Sequence, residues 1–242
     1  MYQKSFFLEK NIGNNAFSYN LRKNKFLYVP ALIIWWIEDI SLWNEVVFED
    51  VDFDWNLQSC MGLKNFYKLP RDDKEIILFD NHNHAYFFWW ESVLWNSKPP
   101  LNHPYTLIHI DEHSDMRDPW IYLATKPTLE EVFHYTNEVV NVWNYIIPAI
   151  HDGIIKKDVI QIRDTSALEN YFDLDLEWEK IILNLDIDFF EPALDFIDYD
   201  LKKKVVLDAA NKADIITVAT SPFFINQQRA IDVFKDIFNT SS

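Results

Sequence analysis

Glycine, cysteine and basic residues are all scarce in this chain, and each shortage removes a class of function. Three glycines occur in 242 residues, Gly13, Gly62 and Gly153. None lies in a glycine-rich loop of the kind that brings backbone N–H groups against phosphates, so the dinucleotide fingerprint and the Walker loop are absent and no nucleotide cofactor is expected. The single cysteine, Cys60, excludes an internal disulfide and suits a reducing compartment. Only 22 Lys and Arg stand against 38 Asp and Glu, a formal net charge of −16. Such a field repels a phosphate backbone, which argues against nucleic acid and favours a cationic substrate or partner. Long apolar runs are missing as well. Residues 1–9 hold no extended apolar segment of the signal-peptide kind. Residues 28–37 are strongly apolar but too short to span a bilayer, and they read as buried strand. No membrane partner and a cytoplasmic location are the expectations.

What the chain does have is apolar bulk. Hydrophobic residues make up 49% of it, enough for a large core in a single domain spanning residues 1–242. From about residue 70 onward, apolar runs alternate with amphipathic segments. Strands are predicted at 75–80, 105–111, 158–163, 180–188 and 215–220. Helices are predicted at 85–95, 129–147, 201–212 and 227–238. The first helix carries Phe87, Phe88, Trp90 and Val93 inward, and the second opens on Thr128 as N-cap with Glu130 and Glu131 in its first turn. Continuous apolar strands separated by helices predict a three-layer α/β/α fold with a mainly parallel central sheet. Residues 1–70 differ, with short strand-like runs at 26–29 and 46–48, and they predict extra edge strands or a small cap on a 71–242 core.

In a parallel sheet, ligands gather where the carboxyl ends of the strands emerge. Three predicted strands end in potential metal ligands: Asp80-Asn81-His82-Asn83-His84, Asp111-Glu112-His113-Ser114-Asp115 and Asp186-Ile187-Asp188. Asp111, His113 and Asp115 are spaced by two, which in extended backbone puts all three on one side. The Asp186/Asp188 pair has the same spacing inside an apolar frame of Ile181, Ile182, Leu183, Ile187, Phe189 and Phe190. Two buried like charges without a counter-ion would cost several kcal/mol, so a bound cation is the natural partner. Oxygen-rich ligands with imidazole and no thiolate point to Mn²⁺ first.

These motifs resemble those of the arginase/ureohydrolase superfamily: a histidine after one strand, Asp-x-His-x-Asp after the next, and Asp-x-Asp after a later one. They are most similar to the UPF0489 family, as are Asn141-Val142-Trp143-Asn144-Tyr145-Ile146-Ile147-Pro148-Ala149-Ile150 and Ala219-Thr220-Ser221-Pro222. That family includes peptide arginases, which convert arginine to ornithine in ribosomally made precursor peptides. The resemblance implies two Mn²⁺ per chain and hydrolysis of a guanidino group to release urea. It makes Asp111 and Asp186 bridging ligands. Asp115 would share one metal with His84, which opens the following helix, and His113 and Asp188 would hold the other. His82 is the alternative to His84 and otherwise a hydrogen-bonding residue near the substrate. Asp115 carries a catalytic role too, accepting a hydrogen bond from the attacking water.

Free-arginine arginases follow Asp-x-His-x-Asp with an asparagine-centred loop that grips the amino-acid group; Met116-Arg117-Asp118-Pro119 stands there in this chain. The loss fits an arginine whose α-groups are tied up in peptide bonds, and hence an arginine-containing precursor peptide as partner. Glu191, Glu112 and Asp118 are the candidates for anchoring the guanidinium. Asn144 is a candidate lining residue and His151 a candidate proton shuttle. Two other readings stand beside this one: a deacetylase-like metal amidohydrolase, and a non-catalytic protein that uses its acidic pocket to bind a peptide.

Overall fold

The computed structural model describes residues 1–71, 73–96 and 103–239. Short runs rich in leucine, isoleucine, valine and aromatics form its strands. They are β1 (Phe6–Leu8), β2 (Leu27–Val29), β3 (Leu32–Ile34), β4 (Leu42–Val51), β5 (Leu57–Leu63), β6 (Phe66–Arg71), β7 (Lys74–Phe79), β8 (Thr106–Ile110), β9 (Ile160–Ile162), β10 (Ile181–Asp186) and β11 (Ile215–Ala219). The α-helices are α1 (His84–Asn96), α2 (Leu129–Glu138), α3 (Ile146–His151), α4 (Thr165–Asn170), α5 (Tyr199–Lys212) and α6 (Gln227–Phe238). Seven strands make the central sheet in the order β3-β6-β7-β11-β10-β8-β9. The five from β7 to β9 run parallel, while β6 is antiparallel to β7 and β3 follows β6.

Every residue of β8, β10 and β11 is buried, because a helical layer covers each face of the sheet. On one side Ile108, Leu183, Leu185 and Val218 pack with Val205 and Ala209 of α5 and Phe234 of α6. On the other, Leu107, Ile182 and Phe79 pack with Phe88 and Trp89 of α1 and Val132 of α2. The expected three-layer α/β/α arrangement is therefore present. In the N-terminal region β3 and β6 widen the sheet, while β1–β2 and β4–β5 form separate antiparallel ribbons. No helix among the described residues is long and apolar enough to cross a membrane.

Several boundaries move for local reasons. Residues 129–147 are two helices, not one. The capping box of Thr128 and Glu131 opens α2 as expected, but Asn141 and Asn144 side chains bond the Trp143 and Asn141 backbone N–H groups at 3.0 and 2.8 Å. Such bonds offer the backbone an alternative to helix, and Pro148, lacking an N–H, is tolerated only in the first turn of α3. Residues 28–37 are not one buried strand either. Pro30 separates β2 from β3, and Ile34, Trp35 and Trp36 are 68%, 50% and 65% exposed. The strand at 180–188 stops at Asp186 and passes into a 3-10 turn over Ile187–Phe190.

One glycine is demanded by close packing. A Cβ on Gly62 of β5 would stand 2.5 Å from Asp80 Oδ1 and 2.6 Å from Val47 Cγ2. That approach lets the Asp80 carboxylate, just past β7, accept the Leu63 N–H at 2.7 Å and tie the ribbon to the sheet. Gly62→Ala is expected to lower stability by about 1–3 kcal/mol, the usual range for overpacking. A urea-unfolding midpoint unchanged from the parent chain would show that Asp80 yields freely.

Candidate metal centre

The loops that leave β7, β8, β10 and β11 meet at the carboxyl edge of the sheet. After β7, the turn at residues 80–83 is pinned through its polar flanks. Asn81 donates to the Val47 carbonyl at 3.0 Å, and Asn83 donates to Thr136 O and accepts from Asn14, both at 2.8 Å. His82 between them is left to face the sheet edge. After β8 the backbone leaves the strand at once. Asp111 Oδ1 accepts the N–H of His113, and Asp186 Oδ1 accepts the N–H of Asp188 at 2.9 Å, the same two-residue side-chain turn in both motifs. Asp115 is reached through a left-handed backbone, φ 53°, and Ser221 through φ 42°. Non-glycine residues persist there only where their surroundings over-determine them. Convergence of Asp111, His113 and Asp115 is therefore the work of a turn, not of the extended alternation expected from their spacing. The segment after Asp188 is clamped from two helices: Lys202 donates to Phe189 O and Leu194 O at 2.8 and 2.9 Å, and Arg229 to Phe190 O at 2.9 Å.

His82 Nδ1 lies 3.1 Å from Asp111 Oδ2, 3.3 Å from Asp115 Oδ2 and 3.1 Å from Asp186 Oδ2. His113 Nδ1 lies 3.0 Å from Asp188 Oδ2 and 3.5 Å from Asp111 Oδ1. Ligand atoms of His82, His109 and Asp111 fall within 4.8 Å of one another, as do those of Asp111, His113 and Asp188. Asp111 thus belongs to both groups. Despite these approaches, both nitrogens of His82, Nε2 of His109 and Oδ2 of Asp111 have no hydrogen-bond partner. Unpartnered buried polar atoms are expensive, unless a shared cation lies among them. The spacings fit that account. Atoms about 2.1 Å from one cation and about 90–110° apart are separated by roughly 3.0–3.4 Å. These buried His and Asp groups could hold a metal ion.

The electrostatics of the bare cluster carry the same message. Burial, and after it the charge of Asp111, pushes Asp115 up to about 7. Burial, then Asp186 and Asp111, hold Asp188 well above the usual carboxylate range. Burial works against a charged His113, yet hydrogen bonds to Asp111 and Asp188 raise it to about 11. Crowded carboxylates that take up protons in this way are neutralised equally well by a divalent cation. Burial alone pushes His84 down to about 3.

His84 is the clearest departure from expectation. It opens α1 as anticipated, but its Nδ1 is 2.7 Å from the Tyr2 hydroxyl, and its ring packs against Phe66 and Tyr2 with centroids at 4.8 and 5.5 Å. His82, two residues earlier, is the histidine brought to Asp111, Asp115 and Asp186. Asn144 closes its own turn through the Asn141 N–H and is not among the ligand groups. Glu191 is half-buried just past the Asp188 turn, with its N–H on Asp188 O at 2.8 Å. Glu112, also half-buried, is raised by burial and feels Glu191 as a neighbouring charge. Asp118 is exposed and accepts the Trp120 N–H. His151 is exposed, paired with Asp152 and packed at a tilt against Tyr122.

Four residues at the centre were not anticipated in these roles. His109 precedes Asp111 by two, so the spacing that singled out Asp111, His113 and Asp115 extends one step back. Ser221, on the loop after β11, donates to Asp186 Oδ2. The rings of Trp143 and Phe224 flank His113 at 5.1 and 4.5 Å, where the His113 side chain, 25% exposed, marks the opening. Nothing local in the sequence brings 113, 143 and 224 together. No protein-family model matches the chain, and no curated protein matches it in sequence. Fold and site define it as a three-layer α/β/α protein with a buried histidine–carboxylate centre fit for a metal.

The aromatic seat of His84 has a measurable consequence. Its folded pKa is about 3 against an ordinary value of 6.5, so between those limits the unfolded chain binds more protons. Stability from this group is full above pH 6.5 and falls toward pH 3, by up to about 1.4 kcal/mol per pH unit. His84→Phe should flatten the fall in unfolding free energy between pH 6.5 and 4.5. An unchanged slope would place the titration elsewhere.

Proposed function

We propose that this chain is a binuclear-metal hydrolase that converts arginine residues of a peptide to ornithine, releasing urea. The observation that carries this reading is the convergence of Asp111, Asp115 and Asp186 on His82, with Asp111 shared by the His113/Asp188 group. His82, Asp111, Asp115 and Asp186 would hold one Mn²⁺, and His113, Asp188 and the shared Asp111 and Asp186 the other. When bound, such a pair supplies a water acidic enough to attack at neutral pH.

The chain's own residues do the rest. Asp115, on the His82 side, accepts a hydrogen bond from the attacking water and keeps it in line with the guanidinium carbon. Trp143 and Phe224 wall the opening at His113 and exclude solvent there. Glu112 and Glu191 supply negative charge beside it for a cationic side chain. The face of Trp143 already carries a guanidinium, that of Arg117 at 4.8 Å, which is the contact a substrate arginine would make. Met116-Arg117-Asp118-Pro119, in place of an asparagine loop, supports a substrate without free α-groups. A single-zinc amidohydrolase of deacetylase type is the second reading, favoured by the two imidazoles and one carboxylate of the His82–His109–Asp111 group.

Purified, Mn²⁺-loaded protein incubated with free arginine and with arginine-containing peptides should release urea from the peptides alone, each modified residue losing one CH₂N₂ in the mass spectrum. Chelator should abolish turnover, and Asp186→Asn should reduce it roughly a thousandfold or more. His82→Ala should remove one of two bound metals, whereas His84→Phe should keep both. Absence of turnover with metals bound would overturn the reading. One zinc per chain with cleavage of acylated amines would select the amidohydrolase. Peptide binding that survives Asp111→Asn, with no product from the parent chain, would make it a binding protein.

A further inference from the structure

His109 has no part in the binuclear reading above, yet both of its ring nitrogens are buried in a polar setting. Nδ1 is 3.1 Å from the side-chain amide of Asn184, its neighbour across β8 and β10. Nε2 is 3.3 Å from Asp111 Oδ2 and makes no hydrogen bond. What Nε2 can do depends on which nitrogen carries the proton, and that is set by which end of the Asn184 amide faces it.

The two orientations can be compared by counting donors. With the Asn184 NH₂ toward His109 and Tyr145, Nδ1 accepts and the ring proton sits on Nε2. Two buried protons then have no acceptor among the described residues, the one on His109 Nε2 and the one on the Tyr145 hydroxyl. With the amide turned over, His109 Nδ1–H and Tyr145 O–H both donate to Asn184 Oδ1, at heavy-atom distances of 3.1 and 2.9 Å. The amide nitrogen donates to Thr217 Oγ1 at 2.9 Å. That hydroxyl also accepts from Trp89 Nε1 at 3.1 Å and gives its own proton to Leu183 O at 3.3 Å. One amide proton is left over instead of two protons, and unspent buried donors are what folded proteins avoid.

The turned orientation leaves a lone pair on His109 Nε2, 3.3 Å from Asp111 Oδ2 but off the line between them, since an N–H on that nitrogen would make no hydrogen bond there; His82 Nδ1 is 3.1 Å from the same oxygen. Two donor atoms, His109 Nε2 and Asp111 Oδ2, set side by side and angled past each other in this way fit a cation bound by both. The 3.3 Å spacing is again the edge length of a coordination polyhedron. We infer that His109 is itself a metal ligand through Nε2, held in that tautomer by Asn184 as a positioning residue. The inference rests on the metal reading of the site. It makes the two ligand groups unequal: one has the imidazoles of His82 and His109, the other that of His113 alone. Nitrogen donors favour the later first-row metals, so the first group prefers Zn²⁺ to Mn²⁺.

The test uses the full chain with ¹⁵N-labelled histidine, titrated with Zn²⁺ and followed by long-range ¹H–¹⁵N correlation. The His109 resonances are assigned by their absence from His109→Leu. On zinc addition Nε2 of His109 should shift as a metal-bound nitrogen while the proton stays on Nδ1. A proton retained on Nε2, with His82 and His113 shifting, would overturn the inference and leave the metal site standing. No histidine shifting would sink both. By calorimetry, His109→Leu should weaken zinc at one site by roughly 100-fold or more and manganese by less. Asn184→Asp, which keeps an acceptor for Nδ1–H, should retain zinc within a few-fold, whereas Asn184→Leu should weaken it roughly 10- to 100-fold. Zinc affinity unchanged in His109→Leu, or lost equally in both Asn184 variants, would count against ligation.

Discussion

Crowding of buried negative charge is the constraint on which the rest of this structure depends. Asp111, Asp115, Asp186 and Asp188 are each 0–4% exposed and approach the same two histidines. Bringing carboxylates out of water side by side is strongly unfavourable unless something positive accompanies them. The rings of His82 and His113 compensate in part, and a cation would complete the compensation. The unpartnered polar atoms of His82, His109 and Asp111 are the geometric form of the same incompleteness.

Holding such a cluster requires rigid support, and the fold supplies it from every side. The parallel strands β8, β10 and β11 are buried along their whole length, so the loops they launch start from fixed points. Polar contacts then set each loop: Asp80, Asn81 and Asn83 around His82, Ser221 on Asp186, and Lys202 and Arg229 on the carbonyls beyond Asp188. Beneath His109 runs a buried chain of Asn184, Thr217, Tyr145 and Trp89. These partners come from segments far apart in sequence, which ties the integrity of the centre to the integrity of the whole sheet.

The opening at His113 has a different character. Trp143, Phe224 and His113 form an aromatic surround, and Glu112 and Glu191 add charge without deep burial. Under the proposed function, that combination of ring faces and carboxylates would receive a planar cation. The net charge of −16 acts in the same direction at longer range.

The strands expected at 75–80, 105–111, 180–188 and 215–220, the third of which ends early at Asp186, and the closing helix at 227–238 were legible in the sequence because they bury both faces or one regular stripe, and periodicity records burial. Also legible was the gathering of Asp111, Asp115, Asp186 and Asp188 at the strand ends, since aspartates at the ends of apolar runs are too costly to bury without a positive partner; the place of His109 beside them was not. Strands β5 and β6 were not, because they mix polar residues such as Gln58, Ser59 and Lys68 with apolar ones and are defined by their pairing partners. The break between α2 and α3 depended on asparagine side chains bonding their own backbone. The choice of His82 over His84 could not be made locally either. Both follow the same strand, and they differ only in what lies opposite: three carboxylates for one, and Tyr2 and Phe66 for the other. The sequence by itself determined which chemical groups stand at the ends of which strands. The tertiary structure alone decided which of them meet, because a ligand set is a matter of distances between segments up to about a hundred residues apart, and local patterns carry no such distances.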